Sequence, residues 1–286
     1  SAAFFSIISN RSSAMPQPIS IHFNQPCLAG RELQYVAEAI LNRYSAGNGP
    51  FSRRCQEHLE QRLGIRQALL TTSCTDALEM CALLLDLGPG DEVVVPSFTF
   101  VSTANAFALR GAKIVFADIR PDTLNLDEKK LEALLTPRTK AIVVVHYAGI
   151  GCEMDAILEL ASKRGIPVIE DNAHGLFARY RGRALGSFGA LATLSFHETK
   201  NVICGEGGAL LVNDRTHVER AEILRDKGTN RRQYYEGLVD KYTWVDLGSS
   251  FALSDLLAAF LWAQLEGADE LLRTRRAIWE RYRAGL

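Results

Sequence analysis

Short apolar runs alternate with amphipathic helical segments through the middle of the chain, and this order limits the possible folds more than any other feature. The runs that are predicted to form buried strands are residues 67–71, 92–96, 113–117, 141–145 and 167–171. The helical segments between them are residues 77–85, 100–109, 127–135 and 154–163. This β-α repeat predicts an α/β protein with a mainly parallel central sheet and helices on both faces. Right-handed crossovers would bring the carboxyl ends of the strands to one edge, where open sheets bind ligands.

The composition excludes several classes of protein. The chain has 286 residues, of which 47% are hydrophobic and 23% charged, so it can bury a sizeable core. Its net charge of -1 gives no indication of a nucleic-acid or membrane partner, and no apolar run reaches the roughly 18 residues that cross a bilayer. The six cysteines show no CxxC pair, which predicts reduced, mostly buried thiols in a cytoplasmic protein.

Three parts are expected along the chain. Residues 1–20 lack periodicity and a basic leader, so we interpret them as a disordered or non-native leader with a natural start near Met15. Residues 21–245 would form the large domain. Residues 246–286 would begin a small C-terminal domain that is truncated within a helix. Additional helices are predicted at residues 30–43, 51–63, 217–227 and 253–272.

A lysine follows the apolar run at residues 190–196, which is predicted to be another buried strand. Lys200 would then lie just past the carboxyl end of that strand, and the glycines at 205, 207 and 208 would let the chain turn back into a strand at 209–212. A single loop lysine is usually a solvated charge. In this position, however, its amine could hold an aldehyde cofactor as a Schiff base.

Two polar residues close the strand at 167–171 and the turn after it. Asp171 could face a cofactor's pyridine nitrogen and keep it protonated, or it could cap the turn that follows. His174 could contact the phenolic oxygen or the ring of the same cofactor, or it could be a structural histidine.

The start of the predicted helix near residue 73 resembles an anion site. Ser73, Cys74 and Thr75 would expose backbone N–H groups at the positive end of the helix, with hydroxyls from Thr75 and Ser195 nearby. An ordinary N-cap is the alternative. Phe100 could stack on a flat ring or pack in the core. A phosphate site, a ring platform, an acid and an amine together describe pyridoxal 5'-phosphate (PLP).

Several stretches resemble the DegT/DnrJ/EryC1/StrS family of sugar aminotransferases, from about residue 21 to the end of the chain. The stretches that carry this resemblance are residues 96–105, 145–149, 170–171, 195–201 and 205–208. The resemblance implies the PLP-dependent transferase fold of type I, as in aspartate aminotransferase. It also implies a homodimer with shared active sites.

The same resemblance implies a role for each matching position. Lys200 would form the Schiff base and shuttle protons, Asp171 would pair with the pyridinium nitrogen, and Phe100 would stack on the ring. His174 would contact the cofactor. Residues that would hold the phosphate are Cys74, Thr75 and Ser195. Ser250 stands where members usually have the asparagine of a Gly-x-Asn segment that reaches the neighbouring subunit's phosphate, so only a hydroxyl could replace it.

The longer matching runs, residues 78–86 and 241–250, imply a particular reaction. They are most similar to members that use L-glutamate to aminate dTDP-4-keto-6-deoxy-D-glucose, giving 2-oxoglutarate and the 4-amino sugar of galacto configuration. Such products enter cell-surface polysaccharides, namely enterobacterial common antigen or O-antigen. Members normally continue into a small C-terminal domain, nearly all of which is missing from this sequence.

Other functions remain open at this point. The chain could act on another keto sugar, give the gluco epimer, or be a silent fragment or regulatory domain. Lys200 argues against the family's dehydratases, which carry histidine at that position. The absence of a GxGxxG segment after a first strand argues against a Rossmann dehydrogenase.

Overall fold

The computed structural model describes residue 22 and residues 24–286, so the predicted leader at 1–20 lies outside the described residues. The strands are β1 Gln67–Thr71, β2 Glu92–Pro96, β3 Lys113–Ala117, β4 Thr139–Val145, β5 Val168–Asp171, β6 Arg179–Tyr180, β7 Arg183–Ala184, β8 Leu191–Ser195 and β9 Gly208–Val212. The α-helices are α1 Glu32–Leu41, α2 Pro50–Leu63, α3 Cys74–Leu84, α4 Ser102–Ala108, α5 Glu128–Leu131, α6 Met154–Arg164, α7 Val218–Arg225, α8 Arg231–Tyr235, α9 Asp255–Glu266 and α10 Ala268–Gly285.

One large sheet organises these elements. Its seven strands lie in the order β1-β9-β8-β5-β4-β2-β3. Neighbours from β8 to β3 pair in parallel, whereas β9 is antiparallel to both β8 and β1. This arrangement confirms the predicted α/β fold with a mainly parallel sheet. β9 runs the opposite way because a loop without a helix connects it to β8, and parallel neighbours need a longer crossover.

Hydrophobic cores lie on both faces of the sheet. Because successive strand residues face opposite sides, Leu69 and Leu70 of β1 enter different cores. The core containing Leu70 packs against α2 and α9, and the core containing Leu69 packs against α3, α4 and α7. A third cluster lies between β4 and α6. Coverage on both faces explains why β2, β8 and β9 are buried along their whole length.

The prediction of one helix over residues 253–272 is wrong. α9 ends at Glu266 and α10 begins at Ala268, with Gly267 between them. A Cβ atom at Gly267 would lie 2.8 Å from the Cβ of Ala29, so the N-terminal segment packs closely against the break. The predicted helix at 127–135 is also shorter, since α5 gives way to a 3-10 turn at Glu132–Leu134.

The cysteines and the helices bear on the predicted compartment. All six cysteines are free, and four of them are buried, in agreement with the predicted reduced thiols. Among the described residues, no helix combines the length and the apolar character needed to span a bilayer. The cytoplasmic location and the domain boundary at 245/246 stay predictions.

Glu92 is the first residue of β2. Its carboxylate is 1% exposed and accepts hydrogen bonds from the Thr136 hydroxyl (2.6 Å), Arg138 (2.8 Å) and Lys113 (3.2 Å). The Thr136 hydrogen bond, followed by those of Arg138 and Lys113, lowers the pKa of Glu92 from 4.5 to about 2.

Replacing this residue, Glu92→Gln, is expected to lower the melting temperature at neutral pH. Because the folded-state pKa is depressed, the carboxylate stabilises the fold above pH 4.5, and that contribution is lost as the pH falls toward about 2. Thermal unfolding measured over this range should show the two proteins converging at the acid end. The exposed Glu159→Gln change is the control, since surface ion pairs contribute little. A difference that stays constant down to pH 2 would contradict the assignment.

Candidate active site

Lys200 lies in a closed loop between β8 and β9. Backbone hydrogen bonds from Phe196 to Gly207 (2.8 Å) and from Cys204 to Phe196 (2.8 Å) join the two ends of this loop. Gly205 has φ +87, a conformation that side chains disfavour, and it permits the return into β9. Lys200 is half-buried just past the carboxyl end of β8, at the position predicted from the sequence.

Burial and two neighbouring groups shift the pKa of Lys200. Loss of hydration lowers the pKa of Lys200 below its ordinary value of 10.5, and electrostatic interactions with Cys74 and Asp171 oppose this shift. The pKa of His174 is lowered too, first by loss of hydration and then by the charge of Lys200. The structure therefore brings Lys200, Asp171, Cys74 and His174 near enough to interact. A lowered pKa increases the fraction of neutral amine, which is the nucleophilic form.

Asp171 ends β5, directly beside β8. Its side chain is 5% exposed. One oxygen accepts a hydrogen bond from the Thr103 hydroxyl at 2.7 Å, and the other accepts the Ala173 N–H at 3.2 Å. The contact with Ala173 is the turn contact that the alternative interpretation expected. The role of Asp171 toward a pyridine nitrogen stays a prediction. The hydrogen bonds favour the ionised carboxylate and fix its direction.

Thr103 is a site residue that the sequence analysis missed. Its hydroxyl lies 2.7 Å from that of Thr99, four residues earlier and outside α4. The pair follows β2 at the same sheet edge as Asp171, and this spacing was a usable signal. What the sequence could not show was the partner, because Asp171 is far away along the chain.

His174 belongs to a row of aromatic rings along the site. Its Nδ1 accepts the Ala148 N–H at 3.3 Å, and its ring packs edge-on against Tyr147 at 5.3 Å. Tyr147 in turn packs against Phe98 at 4.7 Å. Phe100 is 73% exposed and joins none of the aromatic pairs found among the described residues. Its predicted role as a ring platform stays a prediction.

The amino end of α3 has the N-cap that was the alternative interpretation, and its role as a phosphate site stays a prediction. The Ser73 hydroxyl accepts the Asp76 N–H at 3.0 Å and is therefore a true N-cap. The N–H groups of Cys74 and Thr75 are the first in the helix and have no acceptor within it, which is the geometry that binds anions. The Thr75 hydroxyl bonds the Ser102 hydroxyl at 2.8 Å, whereas the Cys74 thiol faces Thr193 at 3.4 Å.

Gly208 allows β9 to approach this helix end. A Cβ atom at Gly208 would lie 2.4 Å from the backbone nitrogen of Cys74 and equally close to the carbonyl carbon of Ser73. Gly208 also pairs with Ser195, which is 8% exposed, so the close approach brings the Ser195 strand end toward the free N–H groups. This cradle fits a phosphate, while Asp171 and Lys200 fit the nitrogen and the aldehyde of a pyridoxal ring.

Ser250 lies in the segment between α8 and α9. It is exposed and forms an isolated backbone bridge with Asp226, where Gly248 packs closely on Gly228. Its predicted contact with the phosphate of a neighbouring subunit stays a prediction.

The cradle predicts a strong effect of a small substitution, Gly208→Ala. The added methyl group would overlap the backbone of α3 and displace the helix end, at a cost of about 1–3 kcal/mol. We expect a lower melting temperature and weaker binding of PLP, measured by equilibrium titration. Gly88→Ala is the matched control, because no atom lies within 4 Å of the added carbon. Equal PLP affinity in both variants would show that the cradle does not seat the phosphate.

Comparison with known proteins identifies the family. Residues 26–286 match the DegT/DnrJ/EryC1/StrS aminotransferase family, and the chain belongs to it. It is 38% identical to GDP-perosamine synthase of Caulobacter vibrioides over 254 residues, which is 88% of this chain and 66% of that protein. It is 37% identical to the spore coat polysaccharide biosynthesis protein SpsC of Bacillus subtilis over 263 residues, 91% of this chain and 67% of SpsC. The chain thus spans about two thirds of these relatives.

Solved structures give the same result. The aminotransferase TlmJ of Streptoalloteichus hindustanus has a TM-score of 0.86 and 37% identity, covering 93% of this chain and 71% of TlmJ. The PLP form of the putative sugar aminotransferase Spr1654 of Streptococcus pneumoniae has a TM-score of 0.85 and 27% identity, with the same coverage. The predicted type I fold is confirmed, and the predicted cofactor, PLP, is supported. The names of these two relatives do not confirm the predicted dTDP-linked sugar.

Proposed function

We propose that the chain is a PLP-dependent aminotransferase of nucleotide-linked keto sugars, with L-glutamate as the amino donor. The observation that carries this proposal is the grouping of Lys200, Asp171 and the amino end of α3 at one sheet edge. These groups supply an amine of lowered pKa, a fixed carboxylate and an anion cradle. Family membership and the PLP form of Spr1654 support it.

Each of these groups has a defined task. When bound, PLP supplies an electron sink that stabilises negative charge on the carbon next to the transferred nitrogen. Asp171 would accept a hydrogen bond from the protonated ring nitrogen and stabilise its positive charge, because the Thr103 hydroxyl and the Ala173 N–H fix the direction of its oxygens. The N–H groups of Cys74 and Thr75, with Ser195, anchor the phosphate.

Lys200 is the proton carrier in this proposal. As a free amine it removes a proton from the α-carbon of glutamate, and later it delivers a proton to C4 of the sugar. Its half-buried position lowers its pKa, which increases the fraction of neutral amine at a given pH, the form that a base requires.

The specific substrate we propose is dTDP-4-keto-6-deoxy-D-glucose, giving dTDP-4-amino-4,6-dideoxy-D-galactose and 2-oxoglutarate. The support for this choice is the similarity of residues 78–86 and 241–250 to the dTDP-4-amino-4,6-dideoxygalactose transaminase of bacteria. The product would enter a cell-surface polysaccharide such as lipopolysaccharide or enterobacterial common antigen. A GDP-linked keto sugar is the second candidate, favoured by the identity to GDP-perosamine synthase.

Assembly and location follow as further parts of the proposal. Exposed apolar side chains such as Leu41 (80%), Phe100 (73%) and Trp244 (74%) are compatible with a homodimer that shares its active sites. Six free thiols are compatible with the reducing cytoplasm.

A substrate comparison tests the proposal. The PLP-loaded chain is incubated with L-glutamate and either dTDP-4-keto-6-deoxy-D-glucose or its GDP-linked counterpart, and 2-oxoglutarate release is measured. The C4 configuration of the product is then read by NMR. We expect turnover of the dTDP sugar with galacto configuration. Preference for the GDP sugar would select the second candidate, and the absence of turnover with PLP bound would indicate a silent fragment.

A further inference from the structure

A fully buried polar pair lies beneath the candidate site. His146 Nε2 is 2.8 Å from Glu170 Oε2, and both side chains are 0% exposed. His146 follows the end of β4, and Glu170 precedes Asp171 in β5. The proposed chemistry gives neither residue a role. Burying a carboxylate is costly unless its remaining hydrogen bonds are satisfied, so its other contacts are informative.

Every other contact of the Glu170 carboxylate is with a backbone donor. Oε2 also accepts the Gly186 N–H at 2.7 Å, while Oε1 accepts the N–H groups of Phe188 (2.6 Å) and Gly189 (2.7 Å). Both carboxylate oxygens thus act as acceptors toward backbone donors. Glu170 therefore bonds β5 firmly to the turn at 186–189, which leads into β8 and on to Lys200.

The histidine extends this connection to a third segment. His146 Nδ1 accepts the Cys152 N–H at 3.2 Å, so the ring proton lies on Nε2 and is donated to Glu170. The backbone N–H of His146 is donated to the carbonyl oxygen of Asp171 at 3.2 Å. The next residues form the turn Tyr147–Gly149, whose Ala148 N–H holds the His174 ring.

These contacts support the segments that carry Asp171, Lys200 and His174. Since neighbouring residues of a strand face opposite sides, Glu170 holds one face of β5 while Asp171 projects from the other. The same carboxylate fixes the turn that leads to Lys200, and its partner His146 fixes the segment that holds His174.

We propose that Glu170 and His146 are positioning residues that set the orientation of Asp171 and Lys200 toward PLP. This inference rests on the proposed function, because it concerns the same cofactor. The Nε2–H donor of His146, directed at Glu170, contributes more to PLP binding than the Nδ1 acceptor does.

Two histidine variants separate these atoms. His146→Gln retains an N–H donor near the Nε2 position, whereas His146→Asn retains an acceptor near the Nδ1 position and loses the donor. Glu170→Gln places an amide N–H against backbone N–H donors and cannot satisfy all of them. Hydrogen-bonding partners of metal ligands typically change metal affinity by about 10–100-fold. By analogy, we expect His146→Asn and Glu170→Gln to bind PLP at least about tenfold more weakly, and His146→Gln to bind it within about threefold of the original chain.

The measurements are an equilibrium titration with PLP, the pH profile of the yellow absorption band, and thermal unfolding of the cofactor-free proteins. A purely structural pair would lower the melting temperature of all variants while leaving the affinity and pH profile of the folded protein unchanged, and that result would overturn the inference. Should Glu170→Gln fail to fold, the comparison of His146→Asn with His146→Gln still decides. If the original chain binds PLP and His146→Asn binds it equally well, only this inference falls. If the original chain binds no PLP, the proposed function falls with it.

Discussion

Replacing Lys200 with alanine is expected to abolish the yellow absorption of the PLP-loaded chain and to lower kcat/KM for transamination by about 10⁴-fold or more. Two contributions are lost together, because Lys200 provides both the covalent attachment and the amine that moves protons. Loss of the proton carrier alone accounts for about 10²–10⁴-fold. Absorption spectra and steady-state kinetics measure the two effects separately.

Matched variants show whether the amine or the charge is responsible. Lys200→Arg keeps the positive charge but has no neutral amine, so it should lose as much activity as alanine. Lys163→Ala removes an exposed lysine that pairs with Glu159 on α6 and should behave as the original chain. The rate of PLP attachment should rise with pH as the Lys200 amine loses its proton. Because the pKa of Lys200 is lowered, the midpoint of this rise should lie below pH 10.5. Retention of the yellow band in Lys200→Ala would contradict the assignment.

Replacing Asp171 with asparagine is expected to lower kcat/KM by about 10²–10³-fold, the usual effect of removing one preorganised electrostatic group. The amide keeps the size of the side chain but cannot hold the positive charge of the ring nitrogen. The change in activity should therefore exceed any change in melting temperature. Kinetics at several donor concentrations, compared with thermal unfolding of the same variant, measure both.

Thr103→Val provides a graded control for this second prediction. It removes one hydrogen bond to a charged carboxylate, worth about 1.5–3 kcal/mol, and leaves the charge in place. The loss of activity should be about 10–100-fold, smaller than that of Asp171→Asn. Asp171→Asn with activity equal to the original chain would show that the carboxylate does not serve the ring nitrogen.

Local patterns were enough to predict the positions of Lys200 and Asp171. Asp171 closes one short apolar run and Lys200 follows another, and such runs predict buried strands. The β-α order predicts that the carboxyl ends of these strands lie at the same edge of the sheet. The exposed aromatic Phe100 and the bridge at Ser250 could be located as well, but their roles depend on groups outside the described chain.

Contacts between distant residues could not be predicted in the same way. The sequence predicted one helix through Gly267, but α9 and α10 are separate and Ala29 of the N-terminal segment packs against the glycine between them. The position of Thr103 after β2 could be read from the sequence, but its hydrogen bond to Asp171 could not. His146 and Glu170 lie in strand-like sequence, and their pairing depends on the register of β4 with β5. Periodicity reveals which face is buried but not which polar groups meet there.

One measurement tests the central claim most directly. The chain is loaded with PLP, reduced with borohydride to fix the cofactor to its lysine, digested with trypsin and analysed by mass spectrometry. We predict a single labelled peptide, residues 184–215, because modification of Lys200 blocks the cleavage that would otherwise separate 184–200 from 201–215. A label on another lysine, or complete cleavage after Lys200 in a protein that has bound PLP, would contradict the account.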